Sequence, residues 1–248
     1  WAEGRVSVFE SVLNPEDGEK VRFPRDATTA SEVVDRIVAD EPLIPLDVET
    51  GTGFDDNFAH YRTKHGTYWR WIRPVFEGGS RSSANARIEF RPLPAQPTVR
   101  DVIGFQAAFG GLMAGLRQQD HPVYHLDWRT AERNFYAAAR EGLGADLEWL
   151  TLDGEETTAR SAIFEDLFAS ARAGLEAHGL SETEARRYLE PLVERVELGM
   201  TPAKWKRRHV QAALDEGLAF EKAVREMQAT YLERQDETLW EGRFTDWL

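Results

Sequence analysis

The apolar pattern of this chain mostly alternates in its first half and is helical in its second, and that segregation limits the architectures open to it. From Asn85 to Arg91 the run Asn-Ala-Arg-Ile-Glu-Phe-Arg alternates strictly, which is the period of a half-buried strand. From Thr98 onward apolar residues return every three or four positions, and most segments carry a helix start or stop signal. Strands followed by helices, rather than interleaved with them, give an α+β chain and not a βαβ repeat. We therefore expect an antiparallel sheet with helices packed on one face, in a sheet-containing region over residues 1–145, and a helical region over 146–248.

Individual segments refine this expectation. Arg5 to Leu13 opens with strand-like alternation, and Asn14-Pro15-Glu16-Asp17-Gly18 turns the chain. Ser31 to Ala39 reads as a short helix capped by Ser31. Residues 47–66 form a long loop, and its Gly51-Thr52-Gly53 is not followed by the helix that a phosphate loop requires. His60 and His65 beside it could contact substrate but read more readily as ordinary loop histidines. Thr67 to Phe76, rich in aromatic residues, pairs with Asn85 to Arg91 as a hairpin. Thr98 and Asp101 mark a capping-box-like helix start, and the helix runs to about Gln118. Its stripe of Val102, Phe105, Phe109, Leu112, Met113 and Leu116 is expected to pack on the apolar side of the sheet. Further helices are predicted over 129–141, 157–178, 181–198 and 202–234; Ser181 with Glu184 marks a start, Gly179 and Gly199 mark ends, and Pro202 sits in a first turn.

Composition excludes several classes of chemistry. Of 248 residues 42% are hydrophobic, enough for a substantial core. No run approaches the ~18 apolar residues of a membrane span, and the opening lacks a signal-peptide pattern, so we expect a cytoplasmic protein without a membrane partner. With no cysteine, disulfides, thiolate metal sites and thiol nucleophiles are excluded. Asp and Glu number 43 against 30 Lys and Arg, a balance that repels nucleic acid. Only Lys20, Lys64, Lys204, Lys206 and Lys222 are lysines; an acidic, lysine-poor surface fits a salt-loaded cytoplasm, that is, a halophilic source, although a GC-rich genome gives the same arginine bias. Trp1 is not an initiator methionine, and the chain reads as opening inside a folded region.

Chemistry concentrates on the hairpin. Period-2 geometry places Arg87, Glu89 and Arg91 on one face and Ala86, Ile88 and Phe90 on the other, core-directed face. An acid flanked by arginines suits a phosphate and a divalent cation: Glu89 offers hard carboxylate oxygen to magnesium, and Arg87 or Arg91 offers a guanidinium fork to phosphate. Arg73, just before Pro74 on the partner strand, points toward the same volume, and Trp69 and Trp71 share its parity as an aromatic wall. The plain alternative is a solvated face of Arg–Glu pairs, each worth only tenths of a kcal/mol. His121 and His125, spaced four apart around Pro122, lack the convergent partners a metal site needs. Lys204, Lys206, Arg207, Arg208 and His209 form a basic run that reads as a solvated helix face more readily than as a phosphate contact.

Trp71-Ile72-Arg73-Pro74, then Ala86-Arg87-Ile88-Glu89-Phe90-Arg91, then Ala95-Gln96-Pro97-Thr98 resembles the late motif of the glutamate-cysteine ligase and carboxylate-amine ligase family. Arg133-Asn134-Phe135-Tyr136-Ala137-Ala138-Ala139-Arg140-Glu141-Gly142-Leu143-Gly144-Ala145 is similar to a second motif of that family, in the expected order. The resemblance covers roughly residues 67–145, with weaker similarity beyond. It implies a glutamine-synthetase-like sheet that binds ATP, Mg2+ and an amino-acid substrate. Glu89 is then the metal ligand, Arg91 the contact to the transferred phosphate, and Arg73 a contact to nucleotide or acyl phosphate. Arg73, Glu89 and Arg91 are thus the catalytic candidates, and Arg73, Arg87 and Arg91 the cofactor-binding ones. The implied activity is ATP-dependent amide formation through an acyl phosphate, with glutathione biosynthesis as the reference setting. Ala86-Arg87 replaces the family's Gly-Thr, the hairpin loop is longer, and Glu132-Arg133-Asn134 replaces an adjacent Glu-Asn. The family's Glu-x-Glu-x-Glu strand and His-x-His segment have no counterpart here, so an amino-terminal half of the same protein is the expected partner, with a homo-oligomer as a further possibility. The rival reading is a non-catalytic relative acting as a binding or assembly module.

Overall fold

A computed structural model describes residues 1–2, 4–14, 20–41, 49, 51, 53, 61, 64, 66 and 68–248. The chain is α+β and divides into two compact units, Gly4–Pro94 and Ala95–Leu248, the latter together with Trp1–Glu3. By internal contacts the division falls after Pro94. The loop residues Thr52, His60 and His65 lie outside the described residues.

The first unit holds α1 (Gly4–Leu13), α2 (Ala30–Ala39) and an antiparallel hairpin of β1 (Ile72–Glu77) and β2 (Asn85–Phe90). The strand expected over Arg5–Leu13 is a helix. Val6, Phe9 and Glu10 fall at helical spacing: Val6 is buried, Phe9 stacks on Trp69 at 4.9 Å, and Glu10 accepts from Trp71 Nε1 at 3.3 Å. Four alternating residues fit either period, and packing decides between them. The cap of α2 lies two residues before the expected one, because Thr29, not Ser31, accepts from the Glu32 amide, while the Glu32 carboxylate reaches back to Thr28. The hairpin forms where alternation predicts it. Its connection needs glycine at Gly78, whose φ is +142° and where a Cβ would meet Ala84 Cα at 2.6 Å. The face of Ala86, Ile88 and Phe90, expected to be core, is exposed instead.

The second unit comprises α3 (Val99–Gln118), α4 (Trp128–Glu141), a small hairpin of β3 (Trp149–Leu150) and β4 (Glu156–Thr157), then α5 (Arg160–Ala177), α6 (Glu182–Glu197), α7 (Pro202–Asp215) and α8 (Phe220–Thr238). The Thr98 hydroxyl accepts from the Asp101 amide, and Ser181 and Glu184 form a reciprocal capping box, as their spacing predicts. Within this unit α3 packs on α5 and α6. Its closest approach is a glycine face, not the stripe of large residues: a Cβ on Gly115 would lie 1.9 Å from the Ser170 carbonyl oxygen, and one on Gly174 would lie 1.9 Å from that of Gly111. Phe105 and Leu112 of the stripe join the core of Ala108, Ala171, Leu175, Ala185, Leu189 and Leu192, while Val102 and Met113 stay exposed.

The segment 202–234, expected as one helix, is two. Gly217 takes φ +90°, and the Gly217 and Leu218 amides donate to the Leu214 and Ala213 carbonyls, a Schellman stop that ends α7. Trp205, Tyr231, Phe244 and Trp247 gather with Met200 in a second core, whereas Phe220 and Trp240 remain exposed.

Candidate active site

Direct cross-strand partners share a sheet face, and the register pairs Arg73 with Glu89 and Val75 with Arg87. Arg73 forms an ion pair from Nε to Glu89 Oε2 and also donates from Nη1 to the Tyr68 carbonyl at 3.0 Å. Its side chain is only 12% exposed while that of Glu89 keeps 40%, so the acid faces solvent over a guanidinium fixed from below. Beside it Tyr61 donates its hydroxyl to the Pro74 carbonyl at 3.1 Å, and burial pushes the phenol up to about 12. Arg87 lies further along and is held in a fork by Glu77 at 2.7 and 2.9 Å, with both side chains about half exposed. Both are cross-strand Arg–Glu pairs of the plain alternative, and they differ in that Arg73 is largely buried whereas Arg87 is solvated.

Arg91 follows β2 with the parity of Glu89. Its backbone amide donates to the Trp71 carbonyl at 2.9 Å, and its carbonyl accepts from Arg5 Nε at 2.9 Å. The guanidinium lies 4.3 Å from the centroid of the Trp69 ring, on which Phe9 also stacks. Arg91 Nη1 is buried and has no hydrogen-bond partner. Burial, followed by the like charge of Arg73, pulls this guanidinium below its ordinary pKa, and Glu89 opposes the shift. An unmatched donor in a positive field can accept an oxyanion as its partner. Arg73, Glu89 and Arg91 are thus brought together, and Arg87 is set apart with Glu77. Trp71, 2% exposed, is core rather than ligand wall. Sequence reading missed Arg5 and Phe9 in this arrangement. Their i,i+4 spacing was visible, but only with α1 helical does it place Arg5 over the Phe9 ring at 4.9 Å.

The other residues singled out by sequence have structural partners. His121 is buried; its Nδ1 accepts from the Val123 amide at 3.1 Å, which leaves Nε2 as the protonated nitrogen facing Asp166 Oδ2 at 2.9 Å. The same carboxylate accepts from Trp149 Nε1 and the Leu152 amide, so His121 is part of a packing network. Asn134, in the second motif, clamps the backbone of Glu148 in both directions, at 2.7 and 3.1 Å. In the basic run, Lys204 caps the Gly199 carbonyl, Lys206 sits 3.8 Å from the Tyr231 ring centroid, and His209 stacks on Trp205. Among the described residues no group of three or more acidic or histidine side chains is placed to hold a metal by itself.

The family model described as Glutamate-cysteine ligase family 2 (GCS2) matches residues 1–237. The chain belongs to that family. It is a glutamate-cysteine ligase-like carboxylate-amine ligase by membership, and the two motifs, around the hairpin and on α4, fall inside the matched region. No curated protein and no solved structure matches the chain. Among the described residues no helix is long and apolar enough to cross a membrane.

Proposed function

We propose that this ligase activates a carboxylate with ATP and transfers the acyl group to an amine, with Arg73, Glu89 and Arg91 on the hairpin face as the reacting-end residues. The observation that carries the reading is the unpartnered Nη1 of Arg91 beside the Arg73–Glu89 pair. A triphosphate oxygen would supply the acceptor that this donor lacks, and Arg73 adds a second positive charge. Arg87, already held by Glu77, contributes field rather than a free fork. Glu89 fits Mg2+ as a single protein ligand, since Mg2+ commonly takes one or two carboxylates and fills its remaining positions with water and substrate phosphate. When bound, the ion would supply charge neutralisation on the phosphates.

In the proposed reaction an oxygen of the substrate carboxylate bonds to the γ-phosphorus as the bond to the β-phosphate oxygen breaks, and ADP leaves. The amine nitrogen then bonds to the acyl carbon, phosphate departs with the carbonyl-side electron pair, and the nitrogen gives up a proton. This chemistry depends on positioning and charge stabilisation more than on a protein nucleophile, which agrees with a chain that has no cysteine. A glutamine-synthetase-like sheet, an amino-acid substrate and a cytoplasmic setting belong to the same proposal. The test is ATP turnover by the complete protein carrying Glu89→Gln or Arg91→Ala. Loss of turnover supports the assignment, and unchanged turnover in either variant removes that residue from the site. A wild-type protein that neither binds nor turns over nucleotide would instead be a binding or assembly module.

A further inference from the structure

We infer that Trp69 and Phe9 are positioning residues for Arg91, holding its guanidinium by the ring face so that Nη1 is not taken up by a protein acceptor and is left for an oxyanion. The inference rests on the proposed anion site but goes beyond it, because it gives a role to two aromatic residues that carry none of the site's charge.

The geometry is specific. A guanidinium normally loses its rotamer freedom by donating to carboxylates, as Arg87 does to Glu77. That mode uses up the donors. Arg91 is held differently: the Trp69 ring lies 4.3 Å from its Cζ, Phe9 stacks on Trp69 with ring centroids 4.9 Å apart and planes 24° apart, and Arg5 fixes the Arg91 carbonyl. A cation–π contact restrains the plane of the guanidinium without consuming an N–H. Nη1 accordingly stays without a partner. Phe9 also meets Trp71 edge-on at 6.3 Å, and the Trp71 carbonyl accepts from the Arg91 amide, so main chain and side chain of Arg91 are referenced to one aromatic group. Preorganisation of this kind lowers the ordering cost at binding.

The test is calorimetric titration of the full chain with inorganic tripolyphosphate, which needs no turnover. Arg91→Ala is expected to weaken binding about tenfold or more, the loss of a charge-assisted hydrogen bond. Trp69→Leu and Phe9→Leu are each expected to weaken it about three- to tenfold, and Trp69→Phe, which keeps a ring face, should recover most of the loss. In the Arg91→Ala background Trp69→Leu should have no further effect. Thermal unfolding of each variant accompanies the titration, and Phe9→Leu with Trp69→Phe carry the test if Trp69→Leu does not fold. Wild-type affinity in Phe9→Leu or Trp69→Leu, or losses that add fully to that of Arg91→Ala, would overturn the positioning role while leaving the anion site intact. Equal binding by wild type and Arg91→Ala would overturn the anion site itself, and the positioning role with it.

Discussion

Each unit contains an arginine paired with a carboxylate, and the two pairs live under opposite conditions. Arg195 and Asp101 meet at 2.7 Å with side chains 6% and 1% exposed. Asp101 Oδ2 also accepts from the Thr98 hydroxyl and the Phe244 amide, and Arg195 donates to Gln96 Oε1 at 2.8 Å. This network ties the start of α3 to α6 and to the C-terminal aromatic group. Burial pulls the Arg195 guanidinium below its ordinary pKa, against the pull of Asp101. In the hairpin unit, Glu89 keeps 40% of its side chain in contact with solvent. Both units even leave an arginine nitrogen unpartnered, Nε of Arg195 and Nη1 of Arg91. Access therefore separates them: the Asp101 carboxylate is enclosed with its partner, whereas the Glu89 carboxylate keeps one side open to solvent.

That contrast breaks if substitutions do not sort the same way. The largest effect is expected at Asp101→Ala, which strands a buried guanidinium and should cost about 3–5 kcal/mol in a denaturant titration; a cost below about 1 kcal/mol would remove the pair from the core of the account. Arg91→Ala should lower ATP turnover about 10²- to 10³-fold, as loss of a donor to developing charge does, while its unfolding midpoint stays close to wild type. Gly174→Ala should destabilise by about 1–3 kcal/mol through overpacking, since its Cβ would fall on the Gly111 carbonyl, and it should leave phosphate binding by the folded fraction unchanged. Smallest is Arg87→Ala at the exposed Glu77 pair, expected within about 1 kcal/mol. A large loss of nucleotide affinity there would sharpen the site by moving Arg87 into it.

Much of this was legible from sequence where the signal is local. The caps at Thr98 and Ser181 follow from side-chain spacing alone, and the meeting of Arg73 with Glu89 follows from period-2 pairing. Contacts set by the approach of distant segments were not legible. Large apolar residues dominate the periodicity of α3, yet Gly111 and Gly115 set how closely α5 can come. Val6 and Val8 suit strand spacing and Val6 and Phe9 suit helix spacing, and the choice is made only where Trp69 and Trp71 pack against Phe9. The stop at Gly217 was hidden because the apolar pattern resumes in phase beyond it.

The hairpin cluster is tested most directly by calorimetric titration of the protein, at high salt, with Mg2+ and a non-hydrolysable ATP analogue. Saturable binding by wild type that is weakened at least tenfold by both Glu89→Gln and Arg91→Ala is the expected result. Equal affinity in all three proteins, or no binding by wild type, would contradict it.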